Sequence, residues 1–193
     1  LEPIAESLRG EGITVGVFPA DVTDTEGLTS ALSSAAAELG RIGLLSYSPG
    51  TNLDHTSSQG PDVAAWGFTS ALQTTAASAR AQFELIVAGA LTASRAVLPA
   101  MRESGDGALL FTTGMSAVRP MPMMGNTGIA MAGLRNWASA IHGDLAREGV
   151  YVGHLSIGLP IVPGSGDGDP DAIAERWFQL AQTRDTFEAT VGF

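Results

Sequence analysis

Residues 108–157 read ALLFTTGMSAVRPMPMMGNTGIAMAGLRNWASAIHGDLAREGVYVGHLSI, and the order of periodicities in this stretch decides the fold. Ala108 to Thr113 is a short apolar run. Gly128 to Glu148 then carries Ile129, Leu134, Trp137, Ile141 and Leu145 at helical spacing, and Val150 to Ile157 is a second apolar run. Runs of this length, rich in Val, Ile and Leu and with little alternation, are the pattern of parallel strands covered on both faces. Two parallel strands joined through a helix require a crossover, which is right-handed.

The same rhythm extends toward the N-terminus. Ile13 to Phe18 and Ile42 to Tyr47 read as two further strands. Thr25 to Leu39 reads as a helix capped by Thr23 or Asp24, and Ala79 to Glu103 as a long helix through Phe83, Ile86, Val87, Leu91 and Leu98. The expected fold is a single α/β domain, a Rossmann-like doubly wound parallel sheet in three layers, α/β/α. Two stretches break the pattern. Thr51 to Thr75 is polar and reads as a long loop. Pro160 to Pro170 is irregular and leads into a last helix from Asp171 to about Ala181, with Asp169 as N-cap and Pro170 at its first position. The chain opens on Leu1 with Ile4 to Arg9 already helical, so the natural protein is expected to begin earlier.

Composition narrows the function. With 193 residues, 45% of them hydrophobic, the chain can bury a core of its own. Its ten basic residues are all arginine, scattered along the chain, against twenty acidic ones, for a net charge of -10. That balance repels phosphate backbones and anionic lipid, so neither nucleic acid nor a membrane is expected as a partner. No apolar run approaches the roughly 20 residues needed to cross a bilayer, and Leu1-Glu2-Pro3 lacks the character of a signal peptide. The absence of cysteine removes thiolate zinc sites and cysteine nucleophiles and is compatible with the cytoplasm, the expected location.

Ligands of doubly wound sheets bind at the carboxyl ends of the strands. The exits here are Ala20 to Asp24, Ser46 to Gly50, Thr112 to Ser116 and Ser156 to Pro160, all rich in small or polar residues. On these motifs, and on their order, the chain resembles a short-chain dehydrogenase/reductase lacking the first strand and helix. Asp21-Val22 matches the family's Asp-hydrophobe pair, whose carboxylate takes the adenine amino group. Ser48-Pro49-Gly50 stands where the family has Asn-Ala-Gly. Gly89 through Leu98-Pro99-Ala100-Met101 matches the long helix ending in Leu-Pro-x-Met. Ala132 to Ala138 matches the helix that carries Tyr-x-x-x-Lys, and Gly158 matches the glycine of the Pro-Gly loop. The resemblance implies NAD or NADP as cofactor, with Asp21, Val22, Ser48, Pro49, Gly50 and Gly158 as cofactor-binding residues. It also implies a small-molecule substrate or ligand, and a homo-oligomer assembled through helices 79–103 and 128–148.

The departures fall on the chemistry. Counting back from Leu134, the family's Tyr falls on Thr127, its Lys on Met131, its Ser on Gly114 and its helix Asn on Ile86. An aliphatic hydroxyl is too weak an acid to replace a tyrosine without a base beside it. No shift of register restores the motif, because the chain contains no lysine. Thr113, Ser116 and Thr127 remain as catalytic candidates lining a hydroxyl pocket, although strand-end and cap roles are the plainer reading. The Gly-rich phosphate loop is also absent from the chain.

Other motifs carry less. Ser46 to Gly50 lacks the glycine and the following helix of a nucleophile elbow. Asp167, Asp169 and Asp171 alternate like a calcium loop, but Ala172 and Phe178 occupy the positions that need Gly and Glu. His55, His142 and His154 have no partner at metal spacing, so no metal site is expected. Met121, Met123 and Met124 read as packing, or as an adaptable apolar mouth. Two functions stay open: an oxidoreductase of the family with altered chemistry, and a non-catalytic relative using the old cofactor cleft for a nucleotide or small ligand.

Overall fold

The computed structural model describes residues 1–49 and 67–193. Four parallel strands form one sheet in the order β1 (Leu44–Tyr47), β2 (Gly107–Gly114), β3 (Val150–Ile157) and β4 (Glu188–Val191). The register sets Leu44 beside Ala108, Gly107 beside Val150 and His154 beside Glu188. Six helices accompany them: α1 (Glu2–Gly10), α2 (Thr25–Leu39), α3 (Ala76–Phe83), α4 (Gly89–Ser104), α5 (Gly125–Ala146) and α6 (Pro170–Thr183). The central pair, β2 and β3, is buried along almost its whole length, as the unbroken apolar runs predict.

Alternate strand residues build two cores. Leu109, Phe111, Val150 and Val152 face α4 and α5 and pack with Ala90, Val97, Met101, Leu134 and Ala138. Ala108, Leu110, Tyr151 and Leu155 face the other side, where α6 brings Ile173, Trp177 and Leu180. The expected three layers are therefore present.

The sequence reading needs two corrections here. Ile13 to Phe18 forms no strand. Among the described residues no strand pairs with it, and a strand exists only through the N–H and C=O groups of a neighbour. Its polar groups bond locally instead: the Ile13 N–H donates to the Leu8 carbonyl at 3.1 Å, and Arg9 donates from Nε and Nη2 to the Val15 carbonyl at 3.1 and 3.0 Å. Conversely β4, led by a charged glutamate and half exposed, had no apolar signal and was missed. The helical stretch from Ala76 to Ser104 is long and apolar enough, by length and composition alone, to cross a membrane. It serves as a core helix, with Ala90, Ala93, Val97 and Met101 buried against the sheet and α2.

Between α3 and α4 the helix widens into one π-turn, Glu84–Ala88. The Tyr47 hydroxyl donates to the Leu85 carbonyl there at 2.7 Å, and Gly89 admits that ring, since any side chain at 89 would strike the Tyr47 hydroxyl. Burial pushes the Tyr47 hydroxyl up to about 12, so it stays a neutral donor.

Helix caps follow the predicted chemistry. Asp24, not Thr23, caps α2, accepting from the Glu26 and Gly27 N–H groups at 3.1 Å. Asp169 caps α6 by accepting from Asp171 N–H, with Pro170 in the first turn. Asp24→Ala is expected to lower stability by about 1 kcal/mol, read as a small loss in Tm with unchanged secondary structure.

Candidate active site

The carboxyl ends of β1, β2 and β3 form the edge where a ligand of this fold is met. Ser48 is exposed just beyond β1, and its Oγ donates to Thr112 Oγ1 at 2.6 Å. Pro49 beside it is half-buried, and Gly50 lies outside the described residues. On the β1 side of the sheet, Asp21 accepts from the Thr23 N–H and the Thr23 hydroxyl, both at 2.8 Å and both at Oδ1. These bonds hold its carboxyl below the usual carboxylate range. Asp21 is thus an ionised acceptor that also fixes the turn ahead of α2. Val22 is half-buried in the core that contains α4, and its carbonyl approaches Gly89. Gly158 is tightly enclosed: a Cβ there would lie 2.7 Å from Met115 Cε and 3.0 Å from the Phe193 ring. Close packing alone accounts for glycine at this position.

The three hydroxyl candidates bond elsewhere, not to one another. Ser116, 7% exposed, donates from Oγ to Met131 Sδ at 3.2 Å, and the Gly114 N–H reaches the same sulfur at 3.3 Å. The resemblance gives this place to an ammonium group, whereas here a thioether, a weak acceptor, receives two hydrogen bonds. Thr127 is fully buried, with its Oγ1 3.4 Å from Asn126 Oδ1. Asn126, which the sequence reading passed over, is also fully buried. Its Oδ1 accepts from Thr69 N–H at 2.8 Å and its Nδ2 donates to the Gly67 carbonyl at 2.8 Å. With Gly125 N–H donating to Thr69 O at 2.7 Å, these bonds bind residues 67–75 across the first turn of α5. Ile86 sits inside the π-turn, 5% exposed.

Thr113 belongs to a different cluster. Its Oγ1 lies 2.9 Å from His154 Nε2 and 3.0 Å from Ser156 Oγ. His154 Nδ1 is 3.0 Å from Glu188 Oε1. Arg135 donates to both oxygens of that carboxylate, at 2.5 and 2.6 Å. His154 and Ser156 are fully buried, and the imidazole stacks on Phe187. Burial holds the imidazole below its ordinary range, against the opposing pull of the Glu188 carboxylate. The paired guanidinium in turn holds Glu188 low. No sequence signal marked this cluster, because its members are far apart in the chain.

A model of the short chain dehydrogenase family matches residues 1–160. The chain belongs to the short-chain dehydrogenase family. An uncharacterized oxidoreductase of Staphylococcus saprophyticus is 26% identical over 149 residues, which are 77% of this chain and 58% of that protein. The chain thus spans less than two thirds of that relative's length. Among solved structures, a short-chain dehydrogenase from Rhodopseudomonas palustris superposes with a TM-score of 0.78 at 21% identity, covering 98% of this chain and 79% of the other. A second, from Streptomyces avermitilis, gives a TM-score of 0.80 at 19% identity, covering 99% and 76%. A 7α-hydroxysteroid dehydrogenase complexed with NADH and 7-oxo glycochenodeoxycholic acid gives 0.80 at 18% identity, covering 98% and 78%. The chain contains no lysine at any position.

Proposed function

We propose that the protein is an NAD- or NADP-linked oxidoreductase of the short-chain dehydrogenase type with non-standard catalytic residues, acting on a small alcohol or carbonyl. Support for the cofactor comes from the family and from relatives solved with NADH and with NADP. The residues described at the sheet edge also fit: Asp21 is an ionised acceptor for an adenine amino group, and Ser48 and Pro49 offer small or compact surfaces. A bound nicotinamide dinucleotide would supply the hydride chemistry. The chain's own part is to hold and orient the ligands, because Met131 and Thr127 give no acid at the family's position.

One observation carries the reading of altered chemistry: Ser116 and Gly114 both point their donors at the Met131 sulfur. A thioether cannot lower the pKa of a neighbouring acid or bind ribose as a cation does. The complete burial of Thr127 favours a second reading, a non-catalytic relative that binds a nucleotide or small ligand. Exposed Phe83 and Ile129, on α3 and α5, support assembly as a homo-oligomer through these helices.

Titrating NADH and NADPH by calorimetry, followed by turnover on a panel of carbonyls and alcohols, separates the readings. The expected result is dinucleotide binding with ordinary carbonyl reduction about 100-fold or more below a family member with an intact proton donor. Binding without any turnover would leave the second reading. Failure to bind either dinucleotide would remove the cofactor assignment.

A further inference from the structure

The Thr113–His154–Glu188–Arg135 cluster has no part in the family's chemistry, yet its placement is specific. Thr127, Met131 and Arg135 are spaced four apart on α5 and so share one face of that helix. The first two are the positions of the family's tyrosine and lysine. The third clamps Glu188 through two hydrogen bonds. The charged machinery missing at Met131 therefore reappears one helical turn further along. Thr113, at the inner end of the cluster, directly precedes Gly114, whose N–H touches the Met131 sulfur.

The donors and acceptors can be ordered without freedom. Glu188, ionised beside Arg135, can only accept, so His154 carries its proton on Nδ1. The neutral ring then has a lone pair on Nε2, which accepts the Thr113 hydroxyl proton. Thr113, having donated, accepts from Ser156. The chain of bonds runs from two hydroxyls at the carboxyl ends of β2 and β3, through a buried imidazole, to a carboxylate that is 22% exposed. This is the polarity in which an imidazole acts as a base toward a hydroxyl.

We infer that Ser156, Thr113, His154 and Glu188 form a proton relay between the ligand edge of the sheet and solvent, and that it replaces the lost Tyr-Lys pair. The inference rests on the oxidoreductase reading above. As a secondary alcohol gives its hydride to an oxidised nicotinamide dinucleotide, its O–H bond breaks and a C=O bond forms. The hydroxyl proton passes into the Thr113–Ser156 pair while the Thr113 proton moves to His154 Nε2. The resulting imidazolium faces Glu188 and returns to neutral by releasing a proton through that carboxylate to solvent. Carbonyl reduction runs the same steps backwards. Ser156 and Thr113, 0% and 4% exposed, are the terminal hydroxyls, and His154 and Glu188 act through them.

Two measurements on the full chain test this. Nitrogen-15 NMR of the histidine rings, assigned with His154→Gln, reads the tautomer directly. Protonation at Nδ1 is expected, with the Nε2 signal displaced in Thr113→Val, and a proton on Nε2 would overturn the relay whatever the activity. Kinetics with NAD or NADP and secondary alcohols give the second readout. His154→Gln and Thr113→Val are each expected to lower kcat by about 100-fold and to abolish the acid limb of its pH profile, with NADH affinity within about twofold of the parent. Parent turnover that either variant matches, with the same pH profile, would discard the relay and leave the oxidoreductase reading intact. A parent that binds dinucleotide but never turns over would discard both.

Discussion

Gly149→Ala is expected to lower the stability of the domain by about 3 kcal/mol or more, the largest single-residue effect among its glycines. Gly149 has φ +80°, where an L side chain meets its own backbone at a cost of about 1–2 kcal/mol. A Cβ there would also run into the carbonyl oxygen of Gly105. Gly105 cannot withdraw easily. It is itself left-handed, with φ +63°, and ends α4 by donating to the Arg102 and Met101 carbonyls. Two residues on, Gly107 pairs with Val150, the first residue of β3. The turn from α4 into β2 and the turn from α5 into β3 are thus pressed together backbone to backbone, at the point where the two central strands begin. In a chain of this size the loss corresponds to a Tm lower by roughly 10 °C. Gly143→Ala is the control. It lies within α5 with no atom near its added methyl, so it is expected to be neutral or stabilising by up to about 1 kcal/mol. A Gly149→Ala melt indistinguishable from the parent would show that the two turns can part without harm.

Acidification is expected to destabilise the protein in two steps, and Glu188→Gln to shrink the second. His154 titrates lower in the fold than in the unfolded chain, so the unfolded state binds more protons below the ordinary imidazole value of 6.5. Stability is full above that pH and falls as the pH drops from there toward the folded value. Glu188 is also held below its ordinary value of 4.5, chiefly by Arg135, so its contribution is present above 4.5 and is lost at lower pH. In Glu188→Gln the acid-range step should shrink to what Asp21 and Asp169, also held low by hydrogen bonds, contribute, while the step near neutral persists. The variant should also be less stable at pH 7, by about 1–3 kcal/mol, because Arg135 loses its paired charge and His154 its carboxylate. Urea unfolding from about pH 2 to pH 8 reads both effects. A parent whose midpoint stays flat across that range would contradict the buried, neutral imidazole.

The legible part of this protein was local. The runs at Ala108 to Thr113 and Val150 to Ile157 announced the buried strand pair, and Asp169-Pro170 announced the start of α6. That the chain holds no lysine needed only its composition. What escaped depended on partners distant in sequence. Ile13 to Phe18 has the composition of a strand but no pairing strand among the described residues. Glu188 to Val191 has little such composition, and becomes a strand because β3 lies beside it. His154 looked like an ordinary core histidine, since its partners stand 41 residues before it and 34 after it. A hydrogen-bonded cluster of this kind is assembled by the sheet register, which no local periodicity encodes.

The π-turn at Glu84–Ala88 can also be regarded as a record of an insertion. One residue added to a helix rotates everything beyond it by about 100°. The segment before the turn is thereby aimed at α5, and the segment after it at α2 and the sheet. Excising one residue would restore an even helix and free the Tyr47 hydroxyl, but it would also swing one of these segments off its neighbours. The irregularity therefore acts as a phase adjuster, letting one continuous rod serve two packing surfaces that a regular helix could not satisfy together.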